Sequence, residues 1–146
     1  MFIIFDLDGT LANIEHRLHF IQRPNREKDW DAFHKACTQD KVISPLVQIC
    51  KDLIYVGHTI EVWSGRSDKV RAETQHWLAC HGVFPSQLLM RMEGDYTPDH
   101  ELKEMWLMHA IGSGQTPDLV FDDRSRLVEM WRRNGIQCCQ VAPGDF

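Results

Sequence analysis

Apolar residues in this chain follow two alternating patterns. Short runs without polar interruption are typical of strands buried on both faces, and stretches with an apolar residue every three or four positions are typical of one helix face. Because the two kinds of segment alternate, we predict a three-layer α/β fold in which helices cover both faces of a five-stranded, mostly parallel sheet. The predicted strands are 2–5, 59–64, 87–92, 119–122 and 137–142, and the predicted helices lie between Ser44 and Gly57, over 67–81, from a cap at Thr97 or Asp99 through Ala110, and over 125–134.

Residues 13–44 interrupt this alternation directly after the first strand. Residues 14–21 favour a short helical segment, and Trp30, Phe33 and Cys37 place an apolar stripe on a second short helix. We interpret this segment, called the insert below, as a small helical cap over the end of the first strand, where it can exclude water and select substrates. A packed helical hairpin without that role is the alternative. Trp30 and Phe33 can either stack on a nucleic-acid base or pack in the core of the insert.

Composition restricts the class of protein and of partner. With 146 residues, 43% hydrophobic and 25% charged, the chain is expected to form a single domain over residues 1–146. It has neither an apolar run near the ~20 residues of a membrane helix nor a signal-peptide pattern, so we expect a cytoplasmic protein without a membrane partner. The net charge of −5 favours a strand end or a mononucleotide over a long duplex, since proteins that follow a long phosphate backbone are usually basic.

Charged and hydroxyl side chains gather where the predicted strands end. Asp6 and Asp8 follow the first strand, and in an open α/β sheet the site lies beyond the carboxyl ends of the strands. Carboxylates in such number require a hard cation such as Mg²⁺, whereas arginine and lysine suit a phosphate-bearing substrate. The other residues at strand ends are Ser64, Gly65, Arg66, Arg91, Asp122, Asp123 and Arg124, and Lys103 follows in the helix after the third strand.

The segment Asp6-Leu7-Asp8-Gly9-Thr10 resembles the first motif of the haloacid dehalogenase superfamily of phosphotransferases, and Ser64, Lys103 and Asp122-Asp123 match its other three motifs in order. Within that superfamily, the chain is most similar to the 3′-phosphatase domain of the phage polynucleotide kinase–phosphatase. The shared residues are Ser64-Gly65-Arg66, Arg91, Gly94-Asp95, Asp99 with Lys103, Asp122-Asp123-Arg124, 128–133, Gln140-Val141-Ala142 and Gly144-Asp145-Phe146. No G-x-x-x-x-G-K-[ST] phosphate loop occurs, so we expect no kinase domain in this chain.

The resemblance implies a Rossmannoid fold of the haloacid dehalogenase type and a role for each matching residue. Asp6 is implied as the nucleophile that forms an aspartyl-phosphate, and Asp8 as the general acid and base. Mg²⁺ is implied as the cofactor, held by Asp6, the Asp8 carbonyl and Asp122, with Asp123 in support. The implied catalytic residues are Asp6, Asp8, Ser64 and Lys103, and the implied substrate-binding residues are Thr10, Arg17, Gly65, Arg66, Arg91, Asp99 and Arg124.

The leading hypothesis is therefore a Mg²⁺-dependent phosphomonoesterase that removes 3′-phosphates from nucleic-acid ends or nucleotides. A phosphatase of (deoxy)nucleoside 5′-monophosphates would use the same chemistry. A non-catalytic module that binds phosphorylated ends is a third reading, although a binder has no need for a nucleophile such as Asp6. The sequence leaves open the choice between DNA and RNA, and the oligomeric state.

Overall fold

The computed structural model describes residues 1–144, and the Asp145-Phe146 end of the last shared motif lies outside the described residues. Five strands form the central sheet, and two short strands form a separate antiparallel pair. In chain order the strands are β1 (Phe2–Phe5), β2 (Ala12–Asn13), β3 (Lys41–Val42), β4 (Thr59–Ser67), β5 (Gln87–Arg91), β6 (Leu119–Asp122) and β7 (Cys138–Gln140). The central sheet has the order β5-β4-β1-β6-β7, and all its neighbouring strands are parallel. This confirms the predicted α/β class and sheet.

Helices cover both faces of the sheet, as expected when each strand is followed by a crossover. The helices are α1 (Trp30–Lys35), α2 (Ser44–Tyr55), α3 (Arg71–Cys80), α4 (Asp99–Gly112) and α5 (Ser125–Arg133). Ile3 and Phe5 of β1 join one core with residues of α2 and α3, whereas Ile4 joins a second core with residues of α4 and α5. β1 is therefore buried on both faces, which explains its uninterrupted apolar sequence. None of the helices in the described part of the chain has the length and apolar character that a bilayer crossing requires.

The insert starts and ends at the carboxyl end of β1. Pairing of β2 with β3 closes its base, and α1 follows a 3₁₀ segment at Glu15–Phe20. A second 3₁₀ segment, Ala36–Gln39, leads from α1 back to β3. The insert is thus a small helical cap located beside the end of the first strand.

The structure differs from the sequence prediction at several element ends. β4 extends to Ser67 instead of stopping at Ser64, because a bulge pairs Ser64 with Met90 and Ser67 with the next residue, Arg91. A 3₁₀ turn at Asp68–Val70 then precedes α3, so this helix does not begin at Ser67. The predicted caps are also wrong: Ile43 and Pro98 precede α2 and α4, and Ser44 and Asp99 are already helical. The last strand is limited to Cys138–Gln140.

Candidate active site

The floor of the site is built where β1, β6 and α4 meet at the carboxyl edge of the sheet. Asp6 directly follows β1 and Asp122 ends β6. The ammonium nitrogen of Lys103, from α4, lies 2.5 Å from Oδ1 of Asp6 and 3.2 Å from Oδ2 of Asp122. All three side chains are buried. The structure thus brings together three residues that the sequence placed on separate strand and helix segments.

Asp123 completes this group, which we call the acidic cluster (Asp6, Lys103, Asp122 and Asp123). Burial raises the pKa of Asp6 well above its ordinary value; Lys103 opposes this shift, and the two neighbouring carboxylates add to it. Burial and the charge of Asp122 likewise raise the pKa of Asp123 to about 6. Burial alone would lower the pKa of Lys103, but Asp122 and Asp6 outweigh it and raise that pKa, so Lys103 stays protonated. One ammonium therefore faces three carboxylates.

The acidic cluster has the donor set of a divalent cation site. Carboxylate oxygens of Asp6, Asp122 and Asp123 lie within 4.8 Å of one another. Oδ1 of Asp123 is buried and has no hydrogen-bond partner among the described residues, which is unusual for a carboxylate unless an ion satisfies it. Oxygen ligands of this kind are those that Mg²⁺ prefers, so the residues present fit this ion. The Asp8 side chain lies elsewhere, and a contribution from Asp8 has to come from its main-chain carbonyl.

Gly9 makes the close approach of the first loop to Asp123 possible. Its φ is +85°, in the left-handed region that glycine tolerates best. A Cβ atom at this position would also lie 2.1 Å from Oδ2 of Asp123, so no larger residue fits without displacing that carboxylate.

Asp8 is surrounded by positive charge instead. Its Oδ1 accepts hydrogen bonds from Arg17 Nη2 at 2.8 Å, from Arg66 Nε at 2.8 Å and from Arg66 Nη2 at 2.5 Å. Burial acts to raise the pKa of Asp8, but the two arginines outweigh it and lower that pKa below its ordinary value. Asp8 is therefore held as a carboxylate through one of its two oxygens.

Asp40 is a site residue that the sequence analysis missed. Its carboxylate accepts from Arg17 Nε and Nη2, both at 2.7 Å, from Arg66 Nη2 at 2.6 Å, and contacts His16 Nε2 at 2.8 Å. It lies between the 3₁₀ segment and β3, at the end of the insert, and 4% of it is exposed. A single aspartate in that position matches no motif, so the sequence held no signal for it. Asp8, Arg17, Asp40 and Arg66 together form what we call the arginine cluster.

The surroundings of Arg17 and Arg66 differ from those expected of residues that bind the substrate. Both side chains are 0% exposed, and their donors are used by Asp8 and Asp40, by the Phe33 carbonyl and by the Thr74 hydroxyl. The guanidinium group of Arg17 also lies 4.2 Å above the ring of Phe33. In this structure both arginines position Asp8 and do not point into open space.

Arg91 and Arg124 form a second pair of arginines at the rim of the site, joined by Asp99. Asp99 accepts from Arg91 through Oδ1 and from Arg124 through Oδ2, the latter at 2.5 Å. Arg91 also donates to the carbonyl of Gly65 at 3.0 Å, and a Cβ atom on Gly65 would lie 2.7 Å from the Asp99 carboxylate. Asp99 therefore orients the two arginines, and Gly65 leaves room for its carboxylate.

By the resemblance, Thr10 and Ser64 are expected to donate hydrogen bonds to a phosphoryl group, and both residues are buried. Thr10 is fully buried, and its hydroxyl is 3.5 Å from Oδ2 of Asp6, at the outer limit of a hydrogen bond. Ser64 is also buried, and its hydroxyl accepts the main-chain N–H of Arg66 at 3.2 Å. Their donation to a phosphoryl group stays a prediction.

A cleft of about 840 Å³ leads to these groups. Asp6, Asp8 and Lys103 line its floor. Residues of the insert form one wall, and the segment from Arg91 to Asp99 forms another. The cleft is therefore much larger than a phosphate group alone requires.

Comparison with known proteins identifies chains that share this fold. A chain in the solved structure of the Pnkp1/Rnl/Hen1 RNA repair complex is 30% identical to this chain, with a TM-score of 0.82 over 99% of this chain and 43% of that one. This chain thus spans less than half the length of that relative. The class C acid phosphatase from Bacillus anthracis with tungstate bound shares the fold at 15% identity, with a TM-score of 0.67 over 98% of this chain and 66% of that one.

A third similar structure is the D,D-heptose 1,7-bisphosphate phosphatase from B. bronchiseptica complexed with magnesium and phosphate. It is 14% identical, with a TM-score of 0.57 over 94% of this chain and 78% of that one, so it shows the fold alone. The sequence model of the polynucleotide kinase PNKP phosphatase domain matches residues 1–146. The chain belongs to this family of phosphatase domains, within the haloacid dehalogenase superfamily.

Proposed function

We propose that this protein is a Mg²⁺-dependent phosphomonoesterase that removes 3′-phosphates from nucleic-acid ends through an aspartyl-phosphate. The observation that carries the proposal is the position of Asp6 on the floor of the cleft, where Lys103 holds its Oδ1 at 2.5 Å beside Asp122 and Asp123. A carboxylate fixed by an ammonium next to a cation site is suited to attack on phosphorus, since phosphoryl transfer depends mainly on positioning and electrostatics.

In the first step, a carboxylate oxygen of Asp6 forms a bond to phosphorus while the bond from phosphorus to the ester oxygen of the substrate breaks. The leaving alkoxide takes a proton from Asp8. In the second step Asp8 accepts a proton from water, the water oxygen attacks phosphorus, and the bond to Asp6 breaks to release inorganic phosphate.

The arginine cluster determines how Asp8 performs these transfers. Its three hydrogen bonds with described residues all reach Oδ1, so Oδ2 is the oxygen we assign to proton exchange. The lowered pKa of Asp8 favours the ionised form, which is the form that accepts the proton from water. Protonation of the leaving group then depends on the smaller protonated fraction.

The acidic cluster determines the environment of the nucleophile. Asp6, Asp122 and Asp123 would hold Mg²⁺ together with the Asp8 carbonyl, and the ion, when bound, supplies positive charge that balances the phosphoryl oxygens. Lys103 keeps the Asp6 carboxylate oriented throughout, and the hydroxyls of Thr10 and Ser64 would donate to the phosphoryl group.

The choice of a nucleic-acid 3′ end is supported by the family and by the relative found in an RNA repair complex. The cleft has room for a nucleotide beyond its phosphate, and Arg91 and Arg124 add positive charge at its rim. Planar guanidinium groups are suited to phosphate, so this pair is the candidate for contacts with the strand.

The decisive assay compares phosphate release from a 3′-phosphorylated oligonucleotide with release from nucleoside 5′-monophosphates. The first should be the better substrate in the presence of Mg²⁺, and EDTA should abolish turnover. Preferential cleavage of the mononucleotides would favour the 5′-nucleotidase reading.

The covalent route is tested by Asp6→Asn. This variant should fold, because the amide keeps a hydrogen-bond acceptor for Lys103, and it should lose all measurable turnover. Beryllofluoride should bind the wild-type protein with Mg²⁺ but not the variant. Turnover in a folded Asp6→Asn protein would refute the aspartyl-phosphate, and failure of the wild-type protein to cleave any phosphate ester would indicate a binding module.

A further inference from the structure

We propose that Trp30 is a stacking platform for one of the last two bases of the bound strand, an inference that rests on the proposed function. The cleft volume of about 840 Å³ lies within the range of roughly 300–1,000 Å³ that is typical of sites for whole small molecules. A phosphate held on the floor leaves most of this volume for the nucleotide that carries it.

The two walls of the cleft differ in chemistry. The insert wall presents the aliphatic side chains of Ile14, Leu18 and Ile21 together with the ring of Trp30. The wall formed by the segment from Arg91 to Asp99 presents charged groups, including the ion pair of its two end residues, and also the exposed side chains of Met92 and Tyr96. Aliphatic side chains beside an aromatic ring favour the insert wall for a base, and the charges of the other wall favour the sugar–phosphate chain.

The structure distinguishes Trp30 from its neighbour Phe33. Phe33 is 4% exposed and its ring lies beneath the guanidinium group of Arg17, so it packs inside the insert. Trp30 is 47% exposed on the cleft side of α1. An indole with this much surface in a cleft that leads to catalytic carboxylates is available for stacking, which is largely independent of base identity.

The ring of Trp30 is held in place before any ligand binds. Its centroid lies 5.7 Å from that of Phe33 in an edge-to-face contact and 6.0 Å from that of His34 in a nearly parallel contact. These contacts restrict the orientation of the indole, so little side-chain entropy is lost when a base packs against it.

The position of Trp30 relative to the floor suits a nucleotide. Asp8 contacts Arg17 at 2.8 Å, and the guanidinium group of Arg17 lies over the ring of Phe33. Phe33 in turn contacts Trp30, so two side chains separate the Asp8 carboxylate from the platform. The ammonium of Lys28 lies 5.5 Å from the Trp30 ring centroid. The ammonium lies over a face of the ring, so a base that stacks on that face displaces it, and the exposed lysine can then pair with a phosphate of the strand.

The test uses 3′-phosphorylated oligonucleotides of one sequence, either intact or abasic at the terminal or the penultimate nucleotide. For Trp30→Ala, KM of the intact strand should rise by about 10-fold, within the range of roughly 5- to 150-fold expected for one base stacked on an aromatic ring. The same substitution should change KM little for the abasic strand that lacks the base stacked on Trp30. Trp30→Phe should retain most of the affinity, and Tyr55→Ala, which removes a 90% exposed aromatic ring on α2, is the matched control.

Thermal unfolding of each variant separates a binding defect from a folding defect, and Trp30→Phe keeps the test valid if Trp30→Ala does not fold. An unchanged KM for the intact strand, or an equal rise for the intact strand and both abasic strands, would overturn the platform. If wild-type protein cleaves nucleoside 5′-monophosphates but no 3′-phosphorylated strand, the proposed function fails on its own. In that case KM of each variant is measured for these nucleotides and for ribose 5-phosphate, which has no base. A rise in KM for the nucleotides alone would still support the platform, and an equal rise for both would overturn it.

Discussion

Replacement of Asp40 by alanine should destabilise the protein by about 3–5 kcal/mol, the usual loss when one partner of a buried ion pair is removed. Arg17 and Arg66 are almost fully buried, so water cannot take the place of the lost carboxylate. The change removes two hydrogen bonds from Arg17, one from Arg66 and a contact with His16, all between 2.6 and 2.8 Å. Both arginines would keep Asp8 as a partner, which favours the lower half of that range.

Activity should fall together with stability, because the two arginines position Asp8. Displacement of a reacting group by about 1 Å can reduce turnover by about 100-fold, and we expect kcat of Asp40→Ala to fall by that order. With Asp40 absent, two guanidinium groups face Asp8 alone and lower its pKa further. In the proposed mechanism the protonated form of Asp8 donates to the leaving group, and this form would then be rarer, so the descending limb of the kcat profile should move to lower pH.

The measurements are urea unfolding at pH 7.5 and the pH profile of kcat on a 3′-phosphorylated oligonucleotide. Asp52→Ala is the matched control: Asp52 is exposed and accepts one hydrogen bond from Gln48 at 2.8 Å, so its loss should change the free energy of unfolding by less than about 0.5 kcal/mol. Asp40→Asn, which keeps a neutral acceptor, should fall between the two. An Asp40→Ala protein as stable as the control, with an unmoved pH profile, would refute the positioning role.

Two further variants test the rim and the acidic cluster. Asp99→Asn removes the negative charge that orients Arg91 and Arg124. We expect kcat/KM for a 3′-phosphorylated oligonucleotide, measured from Michaelis curves, to fall by about 10- to 100-fold. An unchanged value would contradict the role of this pair. Because the pKa of Asp123 is raised to about 6, the metal-free protein should lose stability as pH rises from about 4 through about 6. Asp123→Asn should reduce this dependence, while the part due to the raised pKa of Asp6 remains, and it should stabilise the protein in EDTA at pH 8 by up to about 3 kcal/mol in urea unfolding. A destabilised variant under these conditions would contradict the argument.

The convergence of the acidic cluster could be predicted from sequence because topology alone requires it. Parallel strands end at the same edge of a sheet, so Asp6 after the first strand and Asp122 at the end of a later one must lie near each other. Apolar periodicity could not predict that Lys103 belongs to the site, since a lysine on a helix is usually solvated. That prediction depended on the order of the four motifs along the chain.

The arginine cluster could not be predicted, because it depends on features that leave no local pattern. Arg66 reaches Asp8 and Asp40 because the bulge after Ser64 adds two residues to β4. Asp40 is brought to the same place by the pairing of β2 with β3. From sequence alone, an arginine close to a phosphatase motif is expected to bind the substrate. The burial of Arg17 and Arg66 and their contacts with Asp8 and Asp40 show that they bind protein carboxylates.

Asp6 and Asp8 are two residues apart, yet the chain gives them opposite electrostatic environments. In the arginine cluster two guanidinium groups face two carboxylates, so the charges balance and the group is complete within the protein. In the acidic cluster one ammonium faces three carboxylates, which leaves two negative charges where, by the proposed function, a phosphate dianion approaches. A divalent cation would balance that excess. Variants of the acidic cluster should therefore differ in stability from wild type by an amount that changes with Mg²⁺ concentration, whereas the deficit of Asp40→Ala should be the same in Mg²⁺ and in EDTA.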